Sequence, residues 1–230
     1  MVNYDSIPII FGLGTLPSLA WLIFFLQEDE HPEPKRYIFL AFLGGAVVTF
    51  FALLLQIVLN IRLSGLEISQ LSPLSLVGAA FIEEVAKFGI IYLLIARNKK
   101  VFDEPLDAMI YMITAALGFA AVENILNVAQ AIDPIGIVTL RFIGSTLLHA
   151  LASAFVGYYW AHGMIKKRLG SFIFFGLLVG TTLHTLFNYF IINFDQKIYA
   201  TLLLVFVAFF VFADFEKIKH EEQSHEITQG

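Results

Sequence analysis

The sequence of 230 residues contains no cysteine and has little charge. Without cysteine the chain forms no disulfide, offers no thiolate ligand to a metal and has no cysteine nucleophile. Charged residues make up 14% of the chain, whereas about a quarter of a typical soluble domain is charged. The basic residues form no patch large enough to bind nucleic acid. An internal repeat, which many secondary transporters contain, is also absent from the sequence.

Apolar residues dominate instead, at 58% of the chain, in seven runs separated by short polar segments. A helix of about 20 apolar residues crosses the bilayer core, so the sequence predicts an all-α polytopic transmembrane helix bundle of about seven spans. The first run lacks a basic n-region and a small-residue cleavage site, and we expect it to be a retained span rather than a signal peptide. The runs are residues 7–27, 37–61, 74–96, 106–130, 135–164, 171–193 and 198–213.

The lysine and arginine residues of the loops alternate between the two sides of the predicted membrane. Cytoplasmic loops carry an excess of these residues, which places the N-terminus outside and the C-terminus inside the cell, in a multi-pass cell-membrane protein. We divide the chain into one transmembrane domain, residues 1–213, and a charged cytoplasmic tail, residues 214–230, which we expect to be solvated. The basic residues assigned to the cytoplasmic side are Lys35, Arg36, Arg97, Lys99, Lys100, Lys166, Lys167, Arg168, Lys217 and Lys219.

The third apolar run carries charged residues in its middle. Glu83, Glu84 and Lys87 lie within residues 74–97, which are otherwise long and apolar enough to span a bilayer. Each ionised side chain near the centre of a span costs at least about 2.5 to 3.5 kcal/mol. The spacings of three and four residues put the charges on one helical face, and pairing within the helix leaves one negative charge. We therefore expect other spans to bring polar groups to this face.

Polar residues recur in other spans at a similar depth. At a rise of 1.5 Å per residue they lie roughly 9 to 20 Å below the outer surface, although the helices run in opposite directions. Packing contacts need not share a depth, whereas the groups of one site must. The sequence therefore predicts one buried polar site in the outer half of the membrane. The residues compared in depth are Glu83, Glu123, His149, His184 and Asn188, and Glu84, Lys87, Asn124 and Arg141 accompany them.

The charges of these residues do not balance. Three glutamates against Lys87 and Arg141 leave a net charge of −1 when the histidines are neutral. Carboxylates close together do not all ionise easily in a medium of low dielectric, so we expect one of them to accept a proton and to act as a general base on water. The alternative is a divalent metal ion bound by carboxylate and imidazole groups.

Each candidate also has an interpretation without catalysis. Glu83, Glu84 and Lys87 could form a purely structural ion pair, Glu123 could be hydrated, and Arg141 could extend to the membrane interface. A histidine inside a span is often a hydrogen-bonded packing residue. Buried intramembrane acids are functional by default, which favours a site. A proton- or cation-coupled transporter and an inactive scaffold are the other functions considered, and the clustering in one layer argues against transport.

Four sequence signatures occur in order along these spans. They are E-E-x-x-K from Glu83, F-x-x-x-E-N from Phe119, a histidine at His149 and H-x-x-x-N from His184, and a tryptophan precedes an H-P-E-P turn upstream. Together they closely resemble the PrsW family of intramembrane proteases. That family is related to the CAAX-prenyl endopeptidases and the bacteriocin-processing membrane proteins, often called glutamic intramembrane proteases. The resemblance covers most of residues 21–188.

The resemblance implies hydrolysis of a peptide bond in a membrane-anchored protein or peptide, within or at the edge of the membrane. The founding member of the family cleaves an anti-sigma factor from the extracytoplasmic side, so an anti-sigma-factor-like substrate is the expected partner. The outer position predicted for the site agrees with that side. CAAX-type relatives typically carry histidine where this chain has Glu123, so their residue roles do not transfer directly.

Hypothetical roles follow for the candidate residues. In this hypothesis Glu83 activates the water. Glu84 is the next residue and points about 100° away on the helix, and the sequence does not decide which of the two is the base. The other roles are orientation of the base by Glu84 and Lys87, stabilisation of the oxyanion by His184 and Asn188, handling of the water or the leaving amine by Glu123 and His149, and substrate binding by Asn124 and Arg141. This interpretation requires no cofactor. The alternative is a zinc ion bound by Glu84, Glu123, His149 and His184, whose spacing differs from H-E-x-x-H.

Overall fold

A computed structural model describes residues 6–194 and 197–229 of the chain. The described residues form helices joined by short connections, with no strand among them, so the predicted all-α class is confirmed. A short 3₁₀ turn, Leu26–Glu28, follows the first helix. The helices are α1 (Ile7–Phe25), α2 (Lys35–Ser64), α3 (Pro73–Leu94), α4 (Pro105–Val128), α5 (Pro134–Ile143), α6 (Ser145–Ile165), α7 (Leu169–Asn193) and α8 (Ile198–Gln229).

Six helical segments of the described chain are long and apolar enough to cross a membrane. They are α1, α2, α4, α5 with α6, α7, and most of α8. The remaining helix, α3, has 22 residues and is roughly 33 Å long, which is enough to cross a membrane. It is not one of the six apolar segments because it contains three charged residues, Glu83, Glu84 and Lys87. The multi-pass membrane bundle is therefore confirmed, and the side on which each terminus lies stays a prediction.

Proline is the first residue of three helices. Pro73, Pro105 and Pro134 begin α3, α4 and α5, where the missing backbone N–H is not needed and the fixed φ angle suits the helix. The preceding polar residues cap the same ends. Ser72 accepts a hydrogen bond from the backbone of α3, and Asp133 accepts one from the backbone of α5.

The predicted fifth span is not one helix. The apolar run 135–164 is divided at Gly144 into α5 and α6. A Cβ atom at Gly144 would lie 2.7 Å from the backbone oxygen of Leu140, so a side chain at this position would force the backbone at the break to move. Trp21 of α1 compensates for the interruption, because its indole Nε1 donates a hydrogen bond of 2.8 Å to the backbone oxygen of Phe142. Hydropathy alone does not reveal such a break.

The chain after residue 213 is also more ordered than the sequence suggests. We expect a solvated tail there, whereas α8 continues and buries Phe215 and Ile218 completely. Phe215 stacks on Phe25 of α1 with ring centroids 6.4 Å apart. Lys217 Nζ donates a hydrogen bond of 2.9 Å to the hydroxyl of Tyr158 on α6. The first turns of the predicted tail therefore pack against the bundle.

Helix α4 lies at the centre of the bundle, and most of its residues are buried. Its neighbours approach it closely at glycines. A Cβ atom at Gly118 would lie 1.9 Å from the backbone oxygen of Phe42 on α2, and one at Gly157 on α6 would lie 2.5 Å from the Cα atom of Met109. Small residues allow such close approach between membrane helices. Helices α3 and α7 complete the group that carries the polar residues.

Candidate active site

The charged face of α3 points into the protein. Glu84 and Lys87 are completely buried and Glu83 is 7% exposed. Lys87 Nζ lies 2.8 Å from Glu84 Oε1 and 3.9 Å from Glu83 Oε2. The predicted pairing within the helix is therefore present, and Lys87 pairs more closely with Glu84 than with Glu83.

Glu84 is held by groups from two further helices. His184 Nδ1 on α7 donates to Glu84 Oε1 at 3.0 Å, and Ser153 Oγ on α6 donates to Glu84 Oε2 at 2.9 Å. With Lys87, these donors give a hydrogen bond to each carboxylate oxygen. Because a carboxylate only accepts hydrogen bonds, the Nδ1 atom of His184 carries the proton in this arrangement.

His149 on α6 links the α3 cluster to α4. Lysine has donors only, so Lys87 Nζ donates to His149 Nδ1 at 2.8 Å. The proton of the neutral imidazole is then on Nε2, which donates to Glu123 Oε2 at 2.9 Å. Lys87 Nζ also lies 4.7 Å from the ring centroid of Phe119. Both ring nitrogens of His149 therefore have partners.

Arg141, at the end of α5, completes this chain of contacts. Its Nη2 atom donates to Glu123 Oε2 at 3.0 Å, and its Nε atom donates to Asn124 Oδ1. Asn124 in turn donates to Thr146 Oγ1 on α6 at 3.0 Å. Asn124 and Arg141 thus join α4 to both sides of the helix break. Their assignment to substrate binding stays a prediction.

Glu83 and His184 face each other through atoms that have no hydrogen-bond partner in the described structure. Glu83 Oε2 is buried without a hydrogen-bond partner in the described structure. With the proton on Nδ1, a neutral His184 presents the lone pair of Nε2, which lies 3.6 Å from Glu83 Oε2. Two buried acceptors that face each other need a group with positive character between them, such as the hydrogens of a water molecule, a proton or a metal ion.

The side-chain amide of Gln56 contacts Glu83, and Asn188 lies on the same face of α7 as His184. Asn188 lies one turn beyond His184 on α7 and is half-buried, and its amide makes no side-chain hydrogen bond to the described residues. Gln56 on α2 donates from Nε2 to Glu83 Oε1 at 2.8 Å. Sequence reasoning missed Gln56, a polar residue five positions, or about 8 Å, from the predicted outer end of the apolar run 37–61. That depth lies just above the range compared for the other candidates, and the signal that could have found Gln56 is a lone amide inside an otherwise apolar run.

Glu83, His149 and His184 are the described residues that could hold a metal ion, because one ligand atom of each lies within 4.8 Å of the others. Carboxylate and imidazole are ligands that zinc accepts. The 3.6 Å between Glu83 Oε2 and His184 Nε2 is close to the roughly 3.4 Å expected between two ligand atoms of tetrahedral zinc. The set fits a metal ion. It shares both histidines with the predicted zinc ligands and contains Glu83 in place of Glu84 and Glu123.

Comparison with known proteins gives one consistent result. A family model described as "PrsW family intramembrane metalloprotease" matches residues 33–213. Protease PrsW of Geobacillus kaustophilus is 30% identical over 162 residues, which is 69% of each chain. Protease PrsW of Clostridioides difficile is 27% identical over 86% of this chain and 85% of its own length, and Protease PrsW of Bacillus subtilis is 26% identical over 87% and 91%.

No solved structure matches the chain. The family model covers far more than half of the sequence, and the relatives align over more than two thirds of both chains. The resemblance read from the signatures is thus confirmed, and a protease is favoured over a transporter or a scaffold. The chain belongs to the PrsW family of intramembrane proteases.

Proposed function

We propose that this intramembrane protease hydrolyses a peptide bond of a membrane-anchored protein or peptide with a water molecule bound between Glu83 and His184. The observation that supports this proposal is the pair of buried acceptors, Glu83 Oε2 and His184 Nε2, at 3.6 Å. A water molecule between them would donate a hydrogen to each and direct a lone pair away from both. Such a water is oriented to act as a nucleophile.

Glu83 is the general base of the proposed reaction. It takes one proton from the water as the water oxygen forms a bond to the carbonyl carbon of the scissile peptide. When the bond between that carbon and the amide nitrogen breaks, protonated Glu83 returns the proton to the leaving amine. A positioned acid–base group of this kind contributes about 10² to 10⁴ in rate. Glu84 is less suited to the role, because hydrogen bonds engage both of its oxygens.

Asn188 is the proposed donor to the oxyanion. Its amide has no partner among the described residues and lies on the same face of α7 as His184. A preorganised donor to a developing oxyanion is worth about 3 to 4 kcal/mol. In its neutral form His184 carries its proton on Nδ1, where Glu84 accepts the hydrogen bond, and the lone pair of Nε2 then orients the water.

The remaining charged residues hold the base in position. Lys87 compensates Glu84 directly at 2.8 Å, and Arg141 compensates Glu123 at 3.0 Å. Glu83 is the glutamate of the cluster without a cation this close, since Lys87 Nζ is 3.9 Å away. The unbalanced negative charge inferred from the sequence therefore falls on the proposed base.

A metal-dependent form of the same reaction is the second candidate. Glu83, His149 and His184 would hold the ion, and hydrogen bonding of His184 Nδ1 to Glu84 is the support that metal-ligating histidines usually have. When bound, a divalent ion would lower the pKa of its water and polarise the scissile carbonyl. Lys87 and Glu123 occupy both nitrogens of His149 in this structure, which favours the form without metal.

The substrate proposed from the family resemblance is a membrane-anchored protein of the anti-sigma-factor type. Such a protein would reach the site from the extracytoplasmic half of the bilayer, since the loop charges orient the polar cluster towards that side. Cleavage is tested by reconstituting the purified chain in lipid vesicles with a panel of single-span reporter proteins. The chain is expected to release a fragment from at least one reporter, and Glu83→Gln and His184→Ala are expected to release none.

Metal analysis of the same preparation separates the two candidates. The form without metal requires a wild-type chain that cleaves the reporter with far less than one zinc, manganese, cobalt or iron ion per chain, and that is insensitive to a chelator. One tightly bound ion per chain that is lost in His184→Ala, together with loss of cleavage on chelation, would establish the metal-dependent form.

A further inference from the structure

Gln56 is the polar contact between α2 and the acidic face of α3. Its Nε2 atom donates to Glu83 Oε1 at 2.8 Å and to the backbone oxygen of Ala79 at 3.4 Å. None of the four sequence signatures contains residues of α2. The contact brings a sixth helix to a site otherwise built from α3, α4, α5, α6 and α7.

Small residues on one face of α2 let the amide reach the carboxylate. Gly45, Thr49, Ala52 and Gln56 are spaced by four, three and four residues and therefore share a face. A Cβ atom at Gly45 would lie 1.9 Å from the backbone oxygen of Ala115, and Ala52 is completely buried. The backbones of α2 and α4 are thus in direct contact, and this packing fixes the distance from Gln56 to α3.

The hydrogen bond distinguishes the two oxygens of Glu83. A carboxylate that is free to rotate presents either oxygen, and Gln56 engages Oε1. Oε2 is consequently the atom that faces His184 Nε2 at 3.6 Å. Because the amide is neutral, it orients the carboxylate without supplying the positive charge that a lysine or arginine would bring to a general base.

We propose that Gln56 is a positioning residue of the hydrolytic reaction, which holds Glu83 so that Oε2 stays available to the reacting water. This inference rests on the proposed function, in which Glu83 acts on the water. Gln56 itself touches neither the water nor the substrate in this role. Its removal changes the orientation of the base and leaves the binding surface for substrate intact.

The test compares Gln56→Met with Asn60→Leu in reconstituted vesicles, with the single-span reporter that the wild-type chain cleaves. Methionine has a similar length and no donor, and Asn60 lies one turn away on α2 without a side-chain hydrogen bond to the described residues. Loss of a hydrogen bond to a charged group predicts a decrease in kcat of about 10- to 100-fold for Gln56→Met. KM is expected to stay within about twofold, and Asn60→Leu is expected to match the wild type.

A spectroscopic measurement reads the hydrogen bond without catalysis. The infrared carboxyl band of Glu83 is identified by its loss in Glu83→Gln, and we expect it to shift in Gln56→Met and in a second donor-free variant, Gln56→Leu. An unchanged band, or a wild-type kcat in both variants, overturns the role of Gln56. Wild-type cleavage by Glu83→Gln would instead overturn the proposed function, so the two failures are distinguishable.

Discussion

At the residue scale, two adjacent glutamates have different surroundings. Ser153, His184 and Lys87 all donate to Glu84, whereas Glu83 receives one hydrogen bond and keeps one oxygen unpaired. The spacing of the E-E-x-x-K signature does not separate the two, because both lie within one helical turn of the lysine. The difference arises from which helix faces each carboxylate.

Glu84→Gln is expected to destabilise the protein, because it leaves the completely buried Lys87 without its closest negative partner. Removal of one member of a buried ion pair costs about 3 to 5 kcal/mol. Glu83→Gln is the matched control, since a glutamine carbonyl still accepts the hydrogen bond from Gln56, and it is expected to change stability by less than about 1 kcal/mol. Thermal unfolding in detergent measures both variants. An equal loss of stability in the two variants would contradict the different roles assigned to the two carboxylates.

Asn188→Ala is expected to reduce kcat by about 10²- to 10³-fold, which is the effect of removing one oxyanion donor. Its thermal unfolding temperature is expected to stay close to that of the wild type, because the amide makes no hydrogen bond within the described structure. Reporter cleavage and thermal unfolding of the same preparation give the two values. Full activity of Asn188→Ala would remove this residue from the mechanism.

At the element scale, the break between α5 and α6 anchors one end of the site. Arg141 lies at the end of α5 and pairs with Glu123 at 3.0 Å, while His149 lies on α6 and contacts the same carboxylate at 2.9 Å. A single straight helix would carry Arg141 and His149 about 12 Å apart along its axis. The break at Gly144 therefore allows both residues to reach Glu123.

Gly144→Ala is expected to lower stability by about 1 to 3 kcal/mol, the usual cost of forcing an added carbon into a packed site. The added Cβ would lie 2.7 Å from a backbone oxygen, which is too close to be tolerated without movement. Gly170→Ala is the control, since a Cβ there meets no atom within 4 Å. An unchanged unfolding temperature for Gly144→Ala would show that the break does not need glycine.

Glu33, in the turn before α2, ties that turn to α4 by accepting a hydrogen bond from the hydroxyl of Tyr111. Burial raises the pKa of Glu33 above its usual 4.5. A raised pKa means that the folded state binds the proton more tightly, so the stability from protonated Glu33 is present at acidic pH and is lost as the pH rises above 4.5.

Glu33→Gln keeps an acceptor for Tyr111 and removes the titration. Its unfolding temperature is therefore expected to rise relative to the wild type as the pH is raised from below 4.5 towards neutrality. Thermal unfolding in detergent across that range gives the comparison. Parallel curves for the two proteins would contradict the coupling between Glu33 and the fold.

At the scale of the whole molecule, depth in the membrane was the most informative property of the sequence. It placed Glu83, Glu123, His149 and His184 in one layer, and the structure joins them through contacts of 2.8 to 3.9 Å by way of Lys87. Charges inside an apolar run are expensive, so their partners had to lie at the same level. Helical class, membrane insertion and the convergence of the polar residues were predictable for that reason.

Other features depend on helix rotation and close packing, which cannot be calculated from the depth of a residue in the membrane. The sequence did not reveal the break at Gly144 or the packing of Phe215, because hydropathy is insensitive to both. It did not assign Ser153 to Glu84 or Gln56 to Glu83, since those contacts depend on how closely small residues let the helices approach. The unpaired Oε2 atom of Glu83 therefore depends on how the helices pack, and the sequence alone did not predict it.

The cleavage of a single-span reporter in water enriched with ¹⁸O tests the central claim most directly. Hydrolysis by a water that Glu83 activates incorporates one ¹⁸O atom into the new carboxyl terminus of the released fragment, as measured by mass spectrometry. Wild-type protein in vesicles is expected to give this labelled fragment, and Glu83→Gln is expected to reduce its rate of formation by at least about 100-fold. Labelled fragment formed by Glu83→Gln at the wild-type rate would contradict the assignment of Glu83 as the base.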